Sequence, residues 1–148
     1  MAGVETTLST MRWFFLYLFH YLEYQQRLYE EIKSNVGLKR PVTYKDADVL
    51  PQVQAAILET HRLASVAPLA IPHKTTTDVK LEGKSIPKNT TVFFNLYKIH
   101  HNEKDWDSPD EFKPERWLNK DGTLRPEKEL EHVLVLVRKW HELSCSLW

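Results

Sequence analysis

Hydrophobic positions change their periodicity along the chain. From Leu8 to about Val36 the pattern is helical, apolar nearly all round through Trp13-Phe14-Phe15-Leu16-Tyr17-Leu18-Phe19 and then amphipathic through Tyr24, Leu28 and Ile32. A break near His20 and Tyr21 divides this stretch into two helices, and Gly37 supplies a C-cap. The apolar run is far shorter than the roughly 20 residues that cross a bilayer and is closed by His20. It predicts a buried core helix and no transmembrane segment.

Thr43 with Asp46 three residues on marks the start of a short helix, and after Pro51 a longer one is predicted from Gln52 to about Leu63. Pro68 and Pro72 predict an extended segment, Val79 to Ile86 a hairpin around Gly83, and Thr91-Val92-Phe93-Phe94 a strand. A helical turn follows Asn95 as far as His100. From His101 to Trp117 the chain is polar, rich in Asp and Pro and broken by isolated aromatics, which suits a loop packed by its own side chains. Glu127 to Leu147 mixes charge with the continuous run Val133 to Val137 and carries no cap. The elements add up to a mainly α fold with a small β-sheet (α+β).

A length of 148 residues suits one domain, and 42% hydrophobic content is enough for a core. Twenty basic and 20 acidic residues cancel, which removes the electrostatic argument for nucleic acid as a partner. One cysteine, Cys145, excludes an internal disulfide framework and a multi-cysteine zinc site. No basic stretch precedes an apolar segment at the N-terminus, so no signal peptide is expected. The uncapped opening reads as the middle of a structural element.

Candidate chemistry begins with Glu59-Thr60-His61-Arg62 and with Arg116 in Phe112-Lys113-Pro114-Glu115-Arg116-Trp117. Glu59 and Arg62, at i and i+3, share a helix face, and a second arginine can clamp the carboxylate. One reading is a buried triad that specifies an arrangement; the other, commoner for these residue types, is an exposed surface pair. Glu5 beside Thr6 places an acid next to an alcohol, either as a short proton relay or as a solvated helix end. Gly3 costs that helix roughly 1 kcal/mol relative to alanine and marks a ligand approach or a local opening, at which Thr6 can turn its hydroxyl to a freed carbonyl. His73, following Ile71-Pro72, either binds an anionic group or is a satisfied surface residue. His100-His101 and Asp105, Asp107 and Asp110 lack metal-ligand spacing, and no hydrolase triad is supported.

Ala2-Gly3-Val4-Glu5-Thr6-Thr7, Glu59-Thr60-His61-Arg62 and Phe112 to Trp117, in this order and at these separations, resemble three signatures of the cytochrome P450 haem-thiolate monooxygenases. The resemblance covers about residues 2 to 124 and implies a partial fold, from the central oxygen-binding helix to the meander region. It divides the chain into a partial domain, 1–124, and a divergent tail, 125–148. Val66 to Lys74 and Asn95 to Trp106 look most like the steroid 17α-hydroxylase/17,20-lyase branch, although steroid 21-hydroxylases and xenobiotic-metabolising members share much of the pattern. The resemblance implies haem as cofactor, electrons from an NADPH-dependent flavoprotein reductase, a small apolar substrate such as a steroid, and the endoplasmic reticulum membrane as the location of the full-length family. By the same resemblance Glu5 and Thr6 deliver protons to dioxygen, and Ala2 and Gly3 border the oxygen groove. Val66, Ala67 and Ile71 line the substrate pocket, His73 reaches a haem propionate, and Glu59, Arg62 and Arg116 form the structural triad.

The chain departs from the family pattern at the thiolate. The Phe-x-x-Gly-x-Arg-x-Cys-x-Gly loop is absent, and Cys145, 29 residues after Arg116, lies in Ser144-Cys145-Ser146 with no neighbouring glycine and only Arg138 and Lys139 for positive charge. Cys145 is therefore read as a poor candidate for the iron ligand. Ser65 stands where the family usually has proline. The expectation is a truncated or mis-spliced monooxygenase, inactive as this chain. The alternatives are a non-catalytic helical interaction protein of the same fold, whose tail would bury Val133, Leu136 and Trp140, and an unrelated small α+β domain.

Overall fold

A computed structural model describes residues 2–126. Helix α1 (Ala2–His20) and helix α2 (Leu22–Asn35) meet at Tyr21, where the helical path breaks. Val36 and Gly37 both donate their N–H groups to Ile32 O, at 2.9 and 3.1 Å, and Gly37 takes the left-handed φ of +81° that such a helix end requires. A 3-10 helix, Tyr44–Val49, opens with a capping box: Thr43 N–H donates to Asp46 Oδ2 at 2.8 Å. Helix α3 (Pro51–Ala64) follows at once. Its N-cap residue, Leu50, has no polar side chain, and Glu31 of α2 takes over that duty. The buried Glu31 carboxylate accepts from Gln52 N and Val53 N at 2.9 and 3.0 Å.

Among the described residues the strands form two antiparallel pairs rather than one sheet. β1 (His73–Lys74) pairs with β4 (Thr91–Val92), with His73 opposite Val92. Between them β2 (Val79–Leu81) and β3 (Lys84–Ile86) form a hairpin whose turn residues, Glu82 and Gly83, both have positive φ. The predicted strand stops at Val92, two residues short. The expected extended segment is instead a turn: Ser65 ends α3 in the left-handed region, and Ala70 N–H closes on Ala67 O at 3.1 Å. Pro68 occupies the second position of that turn, where its fixed φ is favourable. Short helix α4 (Leu96–His100) is capped by Asn95, and a 3-10 helix, Pro114–Trp117, ends the loop region.

Two apolar clusters hold these elements. Leu18, Leu28, Ala56 and Phe112 pack α1, α2 and α3 together, joined by Phe14, Tyr17, Tyr21 and Tyr24; Ala55, Trp106 and Trp117 pack the loop onto the other side of α3. The expectation that Trp13 to Phe19 is buried all round is corrected. Leu18 is 8% exposed, but Phe15 and Phe19 are 61% and 76% exposed, because α2 and α3 cover one face of α1 and no described residue covers the rest. No helix among the described residues is long and apolar enough to cross a membrane.

Burial of the tyrosines has a measurable consequence. Desolvation pushes the Tyr17 phenol up to about 12, and it raises Tyr24 further, with the Glu115 carboxylate adding to the effect through its 2.7 Å hydrogen bond. An unfolded tyrosine ionises near pH 10, so this stabilisation is complete below about pH 10 and declines as pH rises towards 12. The urea midpoint of the chain is expected to be lower at about pH 11 than at about pH 8. An unchanged midpoint would contradict the assigned burial.

Candidate functional site

Helix α3 positions the charged centre. Glu59 and Arg62, one helical step apart, point into the same space with both side chains 0% exposed. Arg62 donates from Nη2 to Glu59 Oε1 at 2.8 Å and from Nε to Oε2 at 3.0 Å, a bidentate clamp. Arg116, brought in by the Pro114–Trp117 turn and 13% exposed, donates from Nε to Glu59 Oε1 at 3.0 Å. Trp117 Nε1 and Lys113 N complete the carboxylate's shell at 2.8 and 3.0 Å. Every lone pair of this buried carboxylate has a donor, which is the condition for tolerating it.

The two guanidinium groups also organise the loop. Arg62 Nη1 donates to His100 O and Pro109 O, both at 2.7 Å, while Arg116 donates to Asp107 O at 2.8 Å and Ser108 O at 3.0 Å. Trp106 lies between them, 4.8 Å from Arg62 and 5.7 Å from Arg116. A segment with little regular structure thereby has its carbonyls satisfied by side chains. Buried His100 adds a link to the end of α3, its Nδ1 lying 3.1 Å from Ser65 Oγ. Ser65 Oγ also donates to Arg62 O at 2.9 Å.

A cleft of about 350 Å³ opens where α1 crosses the end of α3. It is lined by Thr6, Thr7, Thr10, Met11, His61, Val66 and Ala67. Three of the residues singled out from sequence, Thr6, Val66 and Ala67, meet there. Glu5 is exposed beside it, and Ile71, 68% exposed, lies outside its lining. Ala2 and Gly3 are in the first turn of α1; a Cβ on Gly3 would meet nothing within 4 Å, so no described group requires glycine there. The carbonyl of Gly3 is taken by Thr7 Oγ1 at 2.7 Å, a role the sequence had offered to Thr6. His73 is half-buried on β1, its ring edge-on to Phe94 at 5.6 Å. Thr7, Thr10, Met11 and His61 were not singled out as cleft residues; the i+4 step from Thr6 to Thr10 was the available signal.

A threonine-bearing helix thus crosses a second helix whose buried glutamate is clamped by two arginines, and the three sequence signatures come together in one arrangement. The chain belongs to the cytochrome P450 family: the family model described as Cytochrome P450 matches residues 1–132. It is 46% identical over 122 residues to human steroid 17-alpha-hydroxylase/17,20 lyase, covering 82% of this chain and 24% of that protein. It is 43% identical over 134 residues to cytochrome P450 1A1 of Chelon auratus, covering 90% of this chain and 26% of that one. A solved zebrafish cytochrome P450 with progesterone superposes with a TM-score of 0.78 at 40% identity, over 82% of this chain and 29% of that chain. The chain thus spans about a quarter of the length of the curated relatives it matches.

Haem is the family's cofactor, and the described residues fit only part of its surroundings. None of residues 2–126 is a cysteine, and no group of three or more His, Cys, Asp or Glu among the described residues could hold a metal ion. Cys145, with Val133, Leu136 and Trp140 of the tail, lies outside the described residues. The donor set on hand serves the helix framework and the cleft and supplies no thiolate.

Proposed function

We propose that this chain represents the distal-helix-to-meander part of a steroid-hydroxylating cytochrome P450, resembling steroid 17α-hydroxylase/17,20-lyase, and that taken by itself it does not oxygenate a steroid. The observation carrying this reading is the cleft, which sets Thr6 of α1 opposite Val66 and Ala67 of the loop after α3. In the parent reaction one atom of dioxygen enters a substrate C–H bond, with electrons from an NADPH-dependent flavoprotein reductase. Within it Glu5 and Thr6 are an acid and alcohol that move protons towards the oxygen, with Ala2 and Gly3 bordering the groove. Val66 and Ala67 contact the apolar substrate, with Ile71 outside the cleft lining, and His73 meets a haem propionate. Glu59, Arg62 and Arg116 touch no substrate in this scheme and hold α3 and the loop in place. The endoplasmic reticulum membrane is the location this reading gives the full-length enzyme.

Inactivity of the isolated chain follows from its thiol. Ser144-Cys145-Ser146 has no neighbouring glycine to form a tight loop, and a thiolate needs donors or positive charge close by. The test adds haem and dithionite to the chain, then carbon monoxide, and records the difference spectrum. No shift of the thiolate-ligated kind is expected; such a shift, lost in Cys145→Ser, would make Cys145 the ligand and overturn the claim of inactivity.

A further inference from the structure

Among the described residues that line the cleft, His61 is the one with an ionisable side chain, and the proposed proton relay does not use it. It faces the space between α1 and the Val66-Ala67 loop, with Thr6, Thr7, Thr10 and Met11 opposite. The hydroxyls of Thr7 and Thr10 already donate to their own helix, to Gly3 O at 2.7 Å and Thr6 O at 3.0 Å. Their donor capacity is spent, whereas the His61 ring makes no hydrogen bond among the described residues. His61 is an exposed residue that borders the cleft, and partial desolvation there lowers its pKa, which favours the neutral imidazole. A neutral imidazole carries one N–H donor and one acceptor.

We infer that His61 is a specificity-determining contact of the cleft, donating its N–H to a ketone or hydroxyl oxygen on an otherwise flat, apolar ligand. The argument rests on the cleft being the steroid-binding region. Met11, Val66 and Ala67 give it an apolar wall, which suits a hydrocarbon skeleton and by itself distinguishes poorly between an oxygenated and an unoxygenated one. A site built to hydrogen-bond an oxygen discriminates against the analogue lacking it, because its own polar group is then left unmatched. His61 is the residue positioned to do that here.

The experiment titrates the 148-residue chain with progesterone and with androstane, a steroid hydrocarbon without oxygen. It follows the His61 ring proton by NMR, assigned by its loss in His61→Leu, together with tryptophan fluorescence. The expected result is that His61→Leu weakens progesterone binding about 2- to 10-fold, the range of one net hydrogen bond, and leaves androstane binding unchanged. His61→Gln, which keeps a donor and an acceptor, should restore most of the progesterone affinity. Equal progesterone affinity in wild type and His61→Leu would overturn the assignment of His61 while leaving the steroid cleft standing. Binding of neither steroid to the wild-type chain would overturn the cleft reading and this inference with it.

Discussion

Glu59→Ala is expected to leave the chain largely insoluble, and any soluble fraction should lose its cooperative urea transition. The carboxylate accepts from Arg62, Arg116, Lys113 N and Trp117 Nε1, all within 3.0 Å, in a space where neither it nor Arg62 is exposed. Alanine leaves two guanidinium groups beside one another without an anion. Their remaining partners are backbone carbonyls, which stabilise a cation less than a carboxylate does. Breaking a buried pair by removing one partner costs about 3–5 kcal/mol, against a total stability of about 5–15 kcal/mol for a whole domain. Glu59→Gln should be nearly as damaging, since its amide nitrogen would turn a donor towards a donor. A Glu59→Ala chain with wild-type yield and midpoint would show that the network contributes nothing to the fold. The same reasoning limits what the triad explains: its replacement by matched apolar groups need not destabilise. Its distinctive contribution is to fix the path of residues 100–117 across α3.

That path shows what a sequence can and cannot disclose. The helices were legible because their apolar positions recur with helical period and their ends carry Pro51, Gly37 and the Thr43–Asp46 box. Residue types alone favoured an exposed Glu59–Arg62 pair; burial by Trp106, Phe112 and Trp117, 44 or more residues away in sequence, makes it an interior one. Glu31 capping α3 from another helix was equally invisible, since neither its spacing nor its neighbours announce a partner 21 residues on. The segment after α3 was misjudged because proline restricts the residue before it but also favours a turn's second position, and Ser65 entering the left-handed region decided between them. The apolar run of α1 misled for a different reason. Apolar composition predicts that a surface seeks cover, and here the described residues cover only the Leu18 side. In the cleft, Thr6 was legible as an alcohol beside an acid and Val66 and Ala67 through the family resemblance, whereas His61 needed the crossing of α1 over α3 to be seen at all.

The aromatic contact that fixes this crossing yields the second large effect, expected for Phe112→Ala. Phe112, 1% exposed, stacks on Tyr17 with centroids 4.9 Å apart and meets Tyr21 and Tyr24, each at 5.6 Å. It therefore ties the loop to α1 and α2 in the same cluster that contains Leu18, Leu28 and Ala56. Truncation removes a whole ring from a site walled by three others, and the expected cost is about 3–5 kcal/mol in urea unfolding. Phe112→Leu, which refills most of the volume, should cost clearly less. Tyr17 provides a readout that a general loss of stability would not give. Its phenol is pushed up to about 12 by burial, so in folded Phe112→Ala, water entering the cavity should bring its ultraviolet titration back towards 10. Phe112 donates nothing to Glu59, although the next residue's N–H does, so the tyrosine change should occur while the buried ion pair persists. A Phe112→Ala chain whose Tyr17 titration and urea midpoint both match wild type would mean that α1 is held over α3 by other contacts. The cleft shaped by that crossing would then not depend on the loop that the two arginines organise.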